Sequence, residues 1–523
     1  MHGYSSSERR ALIDAGDRGM AVAWHAARRP DEMAVASRFG SRTFAELNAR
    51  ANQLAHRLRE AGLHSNDAIA IVMRNRPEFI EAMCAAYRIG LRFTPINFHL
   101  QGDEIGYIVD NCEAKAFIAD ATLGGPPIEA LASAPGASLR LSVGGPLAGF
   151  DALDDWLAGV PETDVADPEL GNRMLYTSGT TGRPKGVYRR EAIAEPPQWE
   201  DVAPAGYRAA GDRNLCTGPA YHAAPLAIDI NRPLNAGAGI VMMDKWDAEE
   251  TLALIEQHRI THCHMVATMF HRLLALPDDV RNRYDISSLR YVVHGAAPCP
   301  VHVKRAMIDW FGPIIWEYYA ATEGGGGFLI GSEEWLTKPG TVGRPGPEFD
   351  NRILDDDGNE VGANVVGTIY MRAPERGQFE YFNDSEKTGK SYRDGYFTLG
   401  DMGYFDADGY LFLTGRSAEL IISGGVNIYP QEVDSAIQSH PAVLDLCTVG
   451  VPNDEWGEEV LTVVQIHPGH VADDALAAEL ISWARERLAH FKCPRRVLFA
   501  DDLPRLPSGK IQRRHVRDAY RDT

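Results

Sequence analysis

The chain has 523 residues and a mass of 57.5 kDa, a length that predicts about three domains. Hydrophobic residues make up 45% of it and charged residues 24%, which excludes a disordered or collagen-like chain. The net charge is −20, so we expect neither nucleic acid nor an anionic membrane as a general partner. We see no membrane-length apolar run and no secretory signal, and seven scattered cysteines lack a Cys-x-x-Cys pair, so we predict a cytoplasmic protein with reduced thiols.

The first 170 residues alternate between helical and strand-like patterns. Apolar spacing predicts helices over residues 43–62 and 77–87, and short apolar runs predict strands over residues 68–73 and 115–119. This alternation predicts parallel sheets covered by helices. In contrast, the Gly-, Ala- and Pro-rich composition of residues 124–149 predicts a surface excursion, and residues 195–210 give no assignable pattern.

From residue 247 the alternation resumes and then changes character. The spacing predicts helices over residues 248–258 and 300–311, and strands over 260–266, 289–293, 314–318, 367–371 and 409–413. After Arg416 the pattern is that of a compact α+β segment, with helices over 432–439 and 475–488 and strands over 443–449 and 459–466. We therefore place a domain boundary near residues 413–418.

Charge is unevenly distributed over this last segment. Residues 417–484 contain no Lys or Arg, whereas residues 485–523 contain 11 basic and 5 acidic residues. The end of the chain is thus a basic tail on an acidic protein. It is either a solvated helix face or a surface that meets phosphates.

The most informative segment is Tyr-Thr-Ser-Gly-Thr-Thr-Gly-Arg-Pro-Lys-Gly-Val, which begins at Tyr176. Its glycines offer backbone N–H groups and its Ser and Thr residues offer hydroxyls, an inventory that suits a polyphosphate. The spacing differs from that of the NTPase P-loop. An ordinary flexible loop is the alternative interpretation.

Three further segments carry polar groups suited to nucleotide chemistry. Glu-Tyr-Tyr-Ala-Ala-Thr-Glu, ending at Glu323, follows a predicted strand, so its carboxylate could hold Mg²⁺ and an aromatic ring could stack on a base, although a capped turn explains it equally well. Asp401 can accept two ribose hydroxyls, and Arg416 can donate to the same sugar. Lys510 stands in a Ser-Gly-Lys turn within the basic tail, free to reach a partner or simply exposed to solvent.

Together and in this order, over about residues 20–515, the four segments resemble the acyl-adenylate-forming (AMP-binding) enzyme superfamily. The superfamily includes acyl-CoA synthetases, fatty-acid–CoA ligases, aryl-CoA ligases, peptide-synthetase adenylation domains and firefly luciferase. The resemblance implies a multidomain α/β fold. A large N-terminal domain, residues 1–416, would have two α/β subdomains plus a small β-barrel and bind ATP and the acyl group. A mobile α+β C-terminal domain, residues 417–523, would carry the adenylation lysine.

The resemblance also implies roles for individual residues. Lys510 corresponds to the lysine of the adenylation step, Glu323 to the Mg²⁺-linked carboxylate and Thr322 to its neighbour on the α-phosphate. His222 belongs to an aromatic/His element beside the acyl site. The remaining implied contacts are Thr177, Ser178, Gly179, Thr180, Thr181, Gly182 and Lys185 for phosphate; Gly295, Ala296, Ala297, Tyr318 and Tyr319 for adenine; Asp401 and Arg416 for ribose; and Gly424 and Gly425 beside the thiol channel.

The activity implied is that of an AMP-forming carboxylic acid–CoA ligase, an acid–thiol ligase that uses ATP, Mg²⁺ and coenzyme A. Residues 423–430 are typical of the CoA ligases in the superfamily. Loading of a carrier protein is the first alternative and a catalytically silent nucleotide-binding protein the second. The partners are therefore a small carboxylic acid, ATP and CoA, and the oligomeric state stays open, with a homodimer among the alternatives.

Two positions depart from the superfamily pattern. Ala418 stands where Asp or Lys usually forms the hinge, so hinge control does not carry over. Ala320 replaces the usual Gly, and its added methyl could narrow the acyl pocket. No charged residue in the aligned site segments indicates a polar acyl substrate, and residues 221–228 are apolar. The expectation is therefore a fatty or other bulky hydrophobic acid as substrate.

Overall fold

The structure is a computed structural model that describes residues 4–177, 184–201, 203–208, 210–416, 419–423, 426–453, 456–506 and 509–521. Its α-helices are Ser6–Gly16, Ala21–Ala26, Phe44–Glu60, Pro77–Arg88, Gly102–Asn111, Gly125–Ala130, Leu153–Trp156, Arg232–Ala236, Ala248–His258, Ala267–Leu274, Asp278–Arg281, Val301–Phe311, Ser332–Thr337, Ser385–Ser391, Pro430–Ile437, Asp474–Arg485 and Arg513–Ala519. A π-helix, Pro225–Asn231, leads directly into Arg232–Ala236.

The first sheet has six strands that pair only in parallel. In spatial order they are Asp151–Ala152, Leu139–Val143, Ala114–Asp120, Ala68–Val72, Arg92–Ile96 and Asn172–Arg173. Every residue of Ala68–Val72 is buried, as expected of a central strand covered by helices on both faces. Phe44–Glu60 covers it and begins with a capping box, in which Thr43 and Glu46 exchange hydrogen bonds.

The interpretation of residues 124–149 as a surface excursion is wrong. They contain the helix Gly125–Ala130 and the strand Leu139–Val143 of the first sheet. Leu139 and Arg140 are only half-buried, so the strand shows no continuous apolar run. The Gly- and Pro-rich start of the helix further masks the pattern.

The second sheet has eight strands, parallel in the centre and antiparallel at both edges. In spatial order they are Phe328–Gly331, Ile315–Tyr319, Tyr291–His294, His262–Met265, Arg213–Cys216, Gly239–Met242, Met33–Ser37 and Gly40–Thr43. One apolar core joins the two large sheets: it contains Leu54 and Ile71 from the first layer and Ile240 and Met242 from the second.

Two smaller sheets adjoin these layers. One contains Leu175–Thr177, Lys185–Arg189 and Phe379–Tyr381. The other contains Asn351–Leu354, Gly367–Arg372, Tyr392–Arg393, Tyr396–Phe405 and Leu411–Arg416. Both are antiparallel and share one apolar cluster that includes Val187 and Ile369. They correspond to the small barrel-like unit that was expected.

The C-terminal α+β part has a five-stranded sheet and its own core. The strands are Ile421–Ser423, Val426–Ile428, Val443–Asn453, Gly457–Ile466 and Arg496–Phe499. Apolar residues of the helices Pro430–Ile437 and Asp474–Arg485 complete a core separate from that of the large sheets. The predicted fold class is therefore confirmed. Across the described ranges, no helix is both long enough and apolar enough to cross a bilayer.

Candidate active site

A cavity of about 1370 Å³ lies where the carboxyl ends of the second sheet's parallel strands meet. Thr217, Val266, Ala296 and Ala320 line it, and each follows one of these strands within two residues. Ligands of parallel α/β sheets bind at this edge, because side chains and loops from neighbouring strands converge there.

One wall of the cavity carries a hydrogen-bonded trio. Tyr319 donates its hydroxyl to Asp401 Oδ2 at 2.7 Å, and Arg416 donates Nε–H to Asp401 Oδ1 at 2.9 Å. Asp401 and Arg416 are also direct partners across two antiparallel strands, which fixes their separation. Burial, followed by the charge of Asp401, raises the pKa of Tyr319. Tyr319 therefore stays a neutral donor and orients the carboxylate.

The loop after Tyr291–His294 approaches this wall closely. Ala296 has a left-handed backbone with φ of +65°. A Cβ on Gly295 would lie 2.5 Å from Cε1 of Tyr318, so only glycine fits against that ring. Tyr318 in turn hydrogen-bonds Nε2 of His264 at 3.2 Å through its hydroxyl. The loop and the ring are thus packed tightly against each other.

A buried ion pair lies behind this loop. Lys304 Nζ donates to Glu317 Oε2 at 2.6 Å, and both side chains are almost inaccessible to solvent. Nε2 of His294 lies 3.6 Å from the same carboxylate oxygen. Burial lowers the pKa of Lys304 and raises that of Glu317, while their mutual attraction opposes both changes.

A second polar group gathers around Tyr381. Its hydroxyl donates to Glu323 Oε1 at 2.9 Å, and the ammonium of Lys387 lies 4.1 Å from its ring centre. Lys185 Nζ donates to Asp384 Oδ2 at 3.2 Å. Burial lowers the pKa of Lys387, and the neighbouring Lys185 lowers it further. Two cations, Lys185 and Lys387, and two carboxylates, Glu323 and Asp384, therefore meet beside the Gly-rich segment.

Lys510 comes to the cavity from the C-terminal part of the chain. Its turn is held by Arg505, whose Nη1 donates to the Gly509 carbonyl at 3.0 Å, and by Leu506, whose N–H donates to the Lys510 carbonyl at 2.8 Å. Lys510 and Thr322 line the same cavity. Burial lowers the pKa of Lys510, and the charge of Arg416 adds to this effect.

His222 is another expected site residue that reaches the cavity. It lines the cavity, is buried, and has no hydrogen-bond partner for Nε2 among the residues that the structure describes. Burial, assisted by His99, lowers its pKa to about 4. The imidazole is therefore neutral at pH 7 and offers a hydrogen bond without charge.

The structure thus brings many, though not all, of the expected site residues to one cavity. Those that line it are His222, Ala296, Ala297, Tyr318, Tyr319, Thr322 and Lys510. Asp401 and Arg416 join it through Tyr319, whereas Glu323 and Lys185 belong to the group around Tyr381 and Asp384. Thr177 ends a strand paired with Lys185, and Gly295 precedes the lining loop. Ser178, Gly179, Thr180, Thr181, Gly182, Gly424, Gly425 and Ala418 lie outside the described residues.

The cavity wall also contains charged residues that the sequence did not single out. Arg173, Arg189, Glu195 and Arg232 line the cavity alongside Ile228 and other apolar residues. These charges are scattered between residues 173 and 232 and belong to no motif, so sequence reasoning missed them. Residues 221–228 are apolar as expected, but the π-helix that they enter carries Arg232 at its end.

Mg²⁺ is the one metal that the sequence implies. Tyr381 satisfies Oε1 of Glu323 and leaves the other carboxylate oxygen to meet a cation, while the nearby lysines suit phosphate. Within the described part of the chain, no cluster of three or more potential metal ligands from His, Cys, Asp and Glu is present. The Glu323 carboxylate suits Mg²⁺ that arrives with ATP, because Mg²⁺ keeps several waters and commonly takes one or two carboxylates plus substrate phosphates.

Comparisons with known proteins agree with this geometry. Residues 22–378 match the AMP-binding enzyme family and residues 432–510 match the AMP-binding enzyme C-terminal domain. Indoleacetate–CoA ligase of Aromatoleum aromaticum is 31% identical, over 94% of this chain and 96% of that protein. A 2-succinylbenzoate–CoA ligase of Geobacillus kaustophilus is 32% identical, over 93% and 95%. ATP-bound MatB from Rhodopseudomonas palustris superposes with a TM-score of 0.80 at 29% identity, covering 96% of this chain and 98% of that one.

The chain belongs to the AMP-binding enzyme family. The resemblance stated from the sequence is confirmed, and so is the expectation of an acid–thiol ligase, because the similar curated proteins are named as CoA ligases. Their acids differ, so the comparisons establish the class and leave the acid to be found.

Proposed function

We propose that this protein is an AMP-forming ligase that joins a bulky, largely apolar carboxylic acid to CoA. The juxtaposition of Lys510 and Thr322 in one cavity carries the proposal. In the first step the carboxylate attacks the α-phosphorus of ATP, and pyrophosphate leaves. In the second step the CoA thiol attacks the acyl carbonyl, AMP leaves and the thiol proton is released. Neither step needs a protein nucleophile, so the residues position groups and stabilise charge.

The roles proposed for the described residues follow from their contacts. Lys510 donates to oxygens of the carboxylate and the α-phosphate, where negative charge accumulates. Asp401, oriented by Tyr319 and Arg416, accepts from ribose hydroxyls. Tyr318 and the Gly295–Ala297 loop pack against adenine.

The phosphate side uses the group around Tyr381. Lys185 and Lys387 neutralise phosphate oxygens, and Glu323 holds Mg²⁺. When bound, Mg²⁺ supplies Lewis-acid stabilisation of phosphate charge. Thr322 approaches the α-phosphate as its hydroxyl donor.

The acyl and thiol sides complete the proposal. Uncharged His222 hydrogen-bonds the acyl carboxylate, and apolar residues such as Ala227 and Ile228 pack against its body. CoA reaches the same carbonyl after the Lys510 turn withdraws, and Gly424 and Gly425 are proposed to flank its thiol. Seven unpaired cysteines are consistent with a reducing compartment, and we propose the cytoplasm.

A panel of carboxylic acids with ATP, Mg²⁺ and CoA tests the proposal. We expect CoA-dependent release of AMP and pyrophosphate with at least one apolar acid. Lys510→Ala should lower acyl-AMP formation by about 10²–10³ and largely spare thioester formation from supplied acyl-AMP. Lys492→Ala is the matched control, because Lys492 bonds Glu432 within the C-terminal part. Equal loss in both half-reactions contradicts the role of Lys510, and AMP release that needs a carrier protein instead of CoA favours the first alternative.

A further inference from the structure

A cluster of guanidinium groups lines part of the cavity. Arg173 Nη1 donates to Glu195 Oε1 at 2.9 Å, which uses one oxygen of that carboxylate. Arg232 Nε lies 4.0 Å from Glu195 Oε2, beyond hydrogen-bond distance. Glu195 Oε2 is buried and has no hydrogen-bond partner in the described part of the protein. Glu195 therefore hydrogen-bonds Arg173 but leaves the Arg232 guanidinium without a hydrogen-bonded carboxylate.

Arg189 connects this arginine cluster to the turn that carries Thr322 and Glu323. Arg189 stands four residues beyond Lys185 on the strand Lys185–Arg189, which places the two backbones about 13 Å apart. Arg189 Nη2 donates to the Glu323 carbonyl at 2.7 Å, so its guanidinium contacts the Thr322–Glu323 turn. Asn172 donates to the Arg189 carbonyl, which keeps the neighbouring Arg173 beside it.

Arg232 reaches the same region from the opposite wall. It follows the π-helix Pro225–Asn231, and Ile228, about one turn earlier, also lines the cavity. An acid lying along this wall would therefore meet apolar side chains first and the guanidinium after them. About 35% of the Arg232 side chain is accessible, so the group is open to a ligand.

The three arginines of the cluster differ in their partners. Arg173 is hydrogen-bonded to Glu195 and Arg189 to the Glu323 carbonyl, whereas the Arg232 side chain has no carboxylate within hydrogen-bond distance among the described residues. Asp229, whose charge also acts with that of Arg232, is fully buried and accepts from Asn214 Nδ2 at 2.9 Å. A guanidinium without a hydrogen-bonded carboxylate in a partly desolvated place is stabilised when an anionic ligand binds it.

We propose that the acid carries a second carboxylate at the end remote from the reacting one, and that Arg232 and Arg173 bind it. The proposal rests on the proposed function and narrows its substrate to dicarboxylic acids with an apolar body. The reacting carboxylate meets Lys510 and Thr322, the body packs on residues such as Ile228, and the remote carboxylate meets the guanidinium groups. A guanidinium presents paired N–H donors that match a carboxylate.

A series of α,ω-dicarboxylic acids from adipic to dodecanedioic acid tests this, each compared with its own monomethyl ester. The ester keeps the length and one reactive carboxylate but removes the second charge. We expect kcat/KM for AMP release to favour one or more diacids over their esters by about 10- to 150-fold, as for a hydrogen bond to a charged group. Calorimetric titration of the diacid without ATP gives a second readout that needs no turnover.

Variants assign the preference to the cluster. Arg232→Met should abolish the diacid preference and keep turnover of the ester, and Arg232→Glu should shift the preference to the ω-amino acid of the same length. Arg190→Met is the matched control, because Arg190 is 80% exposed and pairs with Glu380 outside the cavity. Since Arg232 makes no hydrogen bond in the described structure, its variants test the site even if Arg173→Met does not fold.

The outcomes separate this proposal from the proposed function. AMP release with monocarboxylic acids, no preference for diacids and an unchanged ratio in Arg232→Met would overturn the second carboxylate and leave the ligase assignment standing. Absence of AMP release with every acid, together with calorimetric binding of a diacid that Arg232→Met removes, would overturn the ligase assignment alone. Absence of both signals would overturn both.

Discussion

Replacing Gly509 by alanine should block the approach of Lys510 while leaving the rest of the site intact. Gly509 has φ of +83°, a left-handed backbone that L-residues adopt only at a cost. A Cβ there would also lie 2.8 Å from Oγ1 of Thr268, which belongs to the large N-terminal part. The contact exists only while the Lys510 turn is inserted into the cavity.

The size of the effect on acyl-AMP formation follows from the backbone strain at Gly509 and from the contact with Thr268. The left-handed backbone alone costs about 1–2 kcal/mol, which lowers the population of the inserted turn about 5- to 30-fold. The contact with Thr268 adds to this cost, because 2.8 Å is closer than a Cβ normally approaches. Acyl-AMP formation should fall by at least the first factor. Thioester formation from supplied acyl-AMP, which does not need the inserted turn, should change little.

Single-turnover assays of the two half-reactions measure this split. The double variant Gly509→Ala/Thr268→Ala should recover the share due to the contact and retain the backbone share. Gly469→Ala is the matched control: it imposes the same backbone strain at φ of +97°, with no atom within 4 Å of the new Cβ. If Gly469→Ala lowers acyl-AMP formation equally, or both half-reactions fall together, the reasoning is refuted.

Three further predictions concern other parts of the structure. Lys304→Met should lower the free energy of unfolding in urea by about 3–5 kcal/mol, because it leaves Glu317 buried and unpaired, and adding Glu317→Gln should recover part of the loss. Tyr381→Phe should weaken apparent Mg²⁺ affinity in the AMP-release assay about 10- to 100-fold, since Glu323 loses the hydroxyl that orients it; an unchanged Mg²⁺ titration would contradict this. Burial lowers the pKa of His262 to about 3, so between pH 6.5 and 3 the unfolded chain binds a proton that the native chain excludes. Native stability should therefore fall as pH drops through that range, and His262→Gln should remove about 1.4 kcal/mol per pH unit from the slope of unfolding free energy measured by urea titration. An unaltered slope would show that His262 does not contribute.

The elements that could be predicted are those whose pattern is local. The helix Pro77–Arg88 was expected over residues 77–87, because proline suits its first turn and apolar residues recur along one face. The strand Ala68–Val72 is a continuous apolar run, so its composition alone predicts the buried position that the structure shows. Leu139–Val143 was missed because Arg140 and Ser142 interrupt its apolar residues, so it shows no such run.

The candidate site likewise contains some residues that the sequence predicts and others that it does not. Tyr319, Asp401, Arg416 and Lys510 stand in short segments that are ambiguous one by one but together, in this order, resemble the AMP-binding enzymes. The arginine cluster could not be predicted, because only the folded sheets bring residues 173, 189 and 232 together. Lys387 was missed for a related reason. It lies in the short helix Ser385–Ser391. Nothing in that segment indicates that its ammonium lies over the ring of Tyr381, whose hydroxyl donates to Glu323.

The π-helix Pro225–Asn231 makes the pocket sensitive to chain length. A π-turn contains one more residue than an α-turn, and such single-turn insertions are found mostly at functional sites. Removing one residue would restore ordinary α-turns, and the helix beyond would keep roughly its orientation because the wider turn had accommodated the extra residue. Arg232 would therefore stay close to its place, while the side chains of the π-helix itself, such as Ile228, would take new directions relative to the cavity that Ile228 lines. An insertion or deletion of a single codon could therefore retune which acids this scaffold accepts as effectively as a change of side chain.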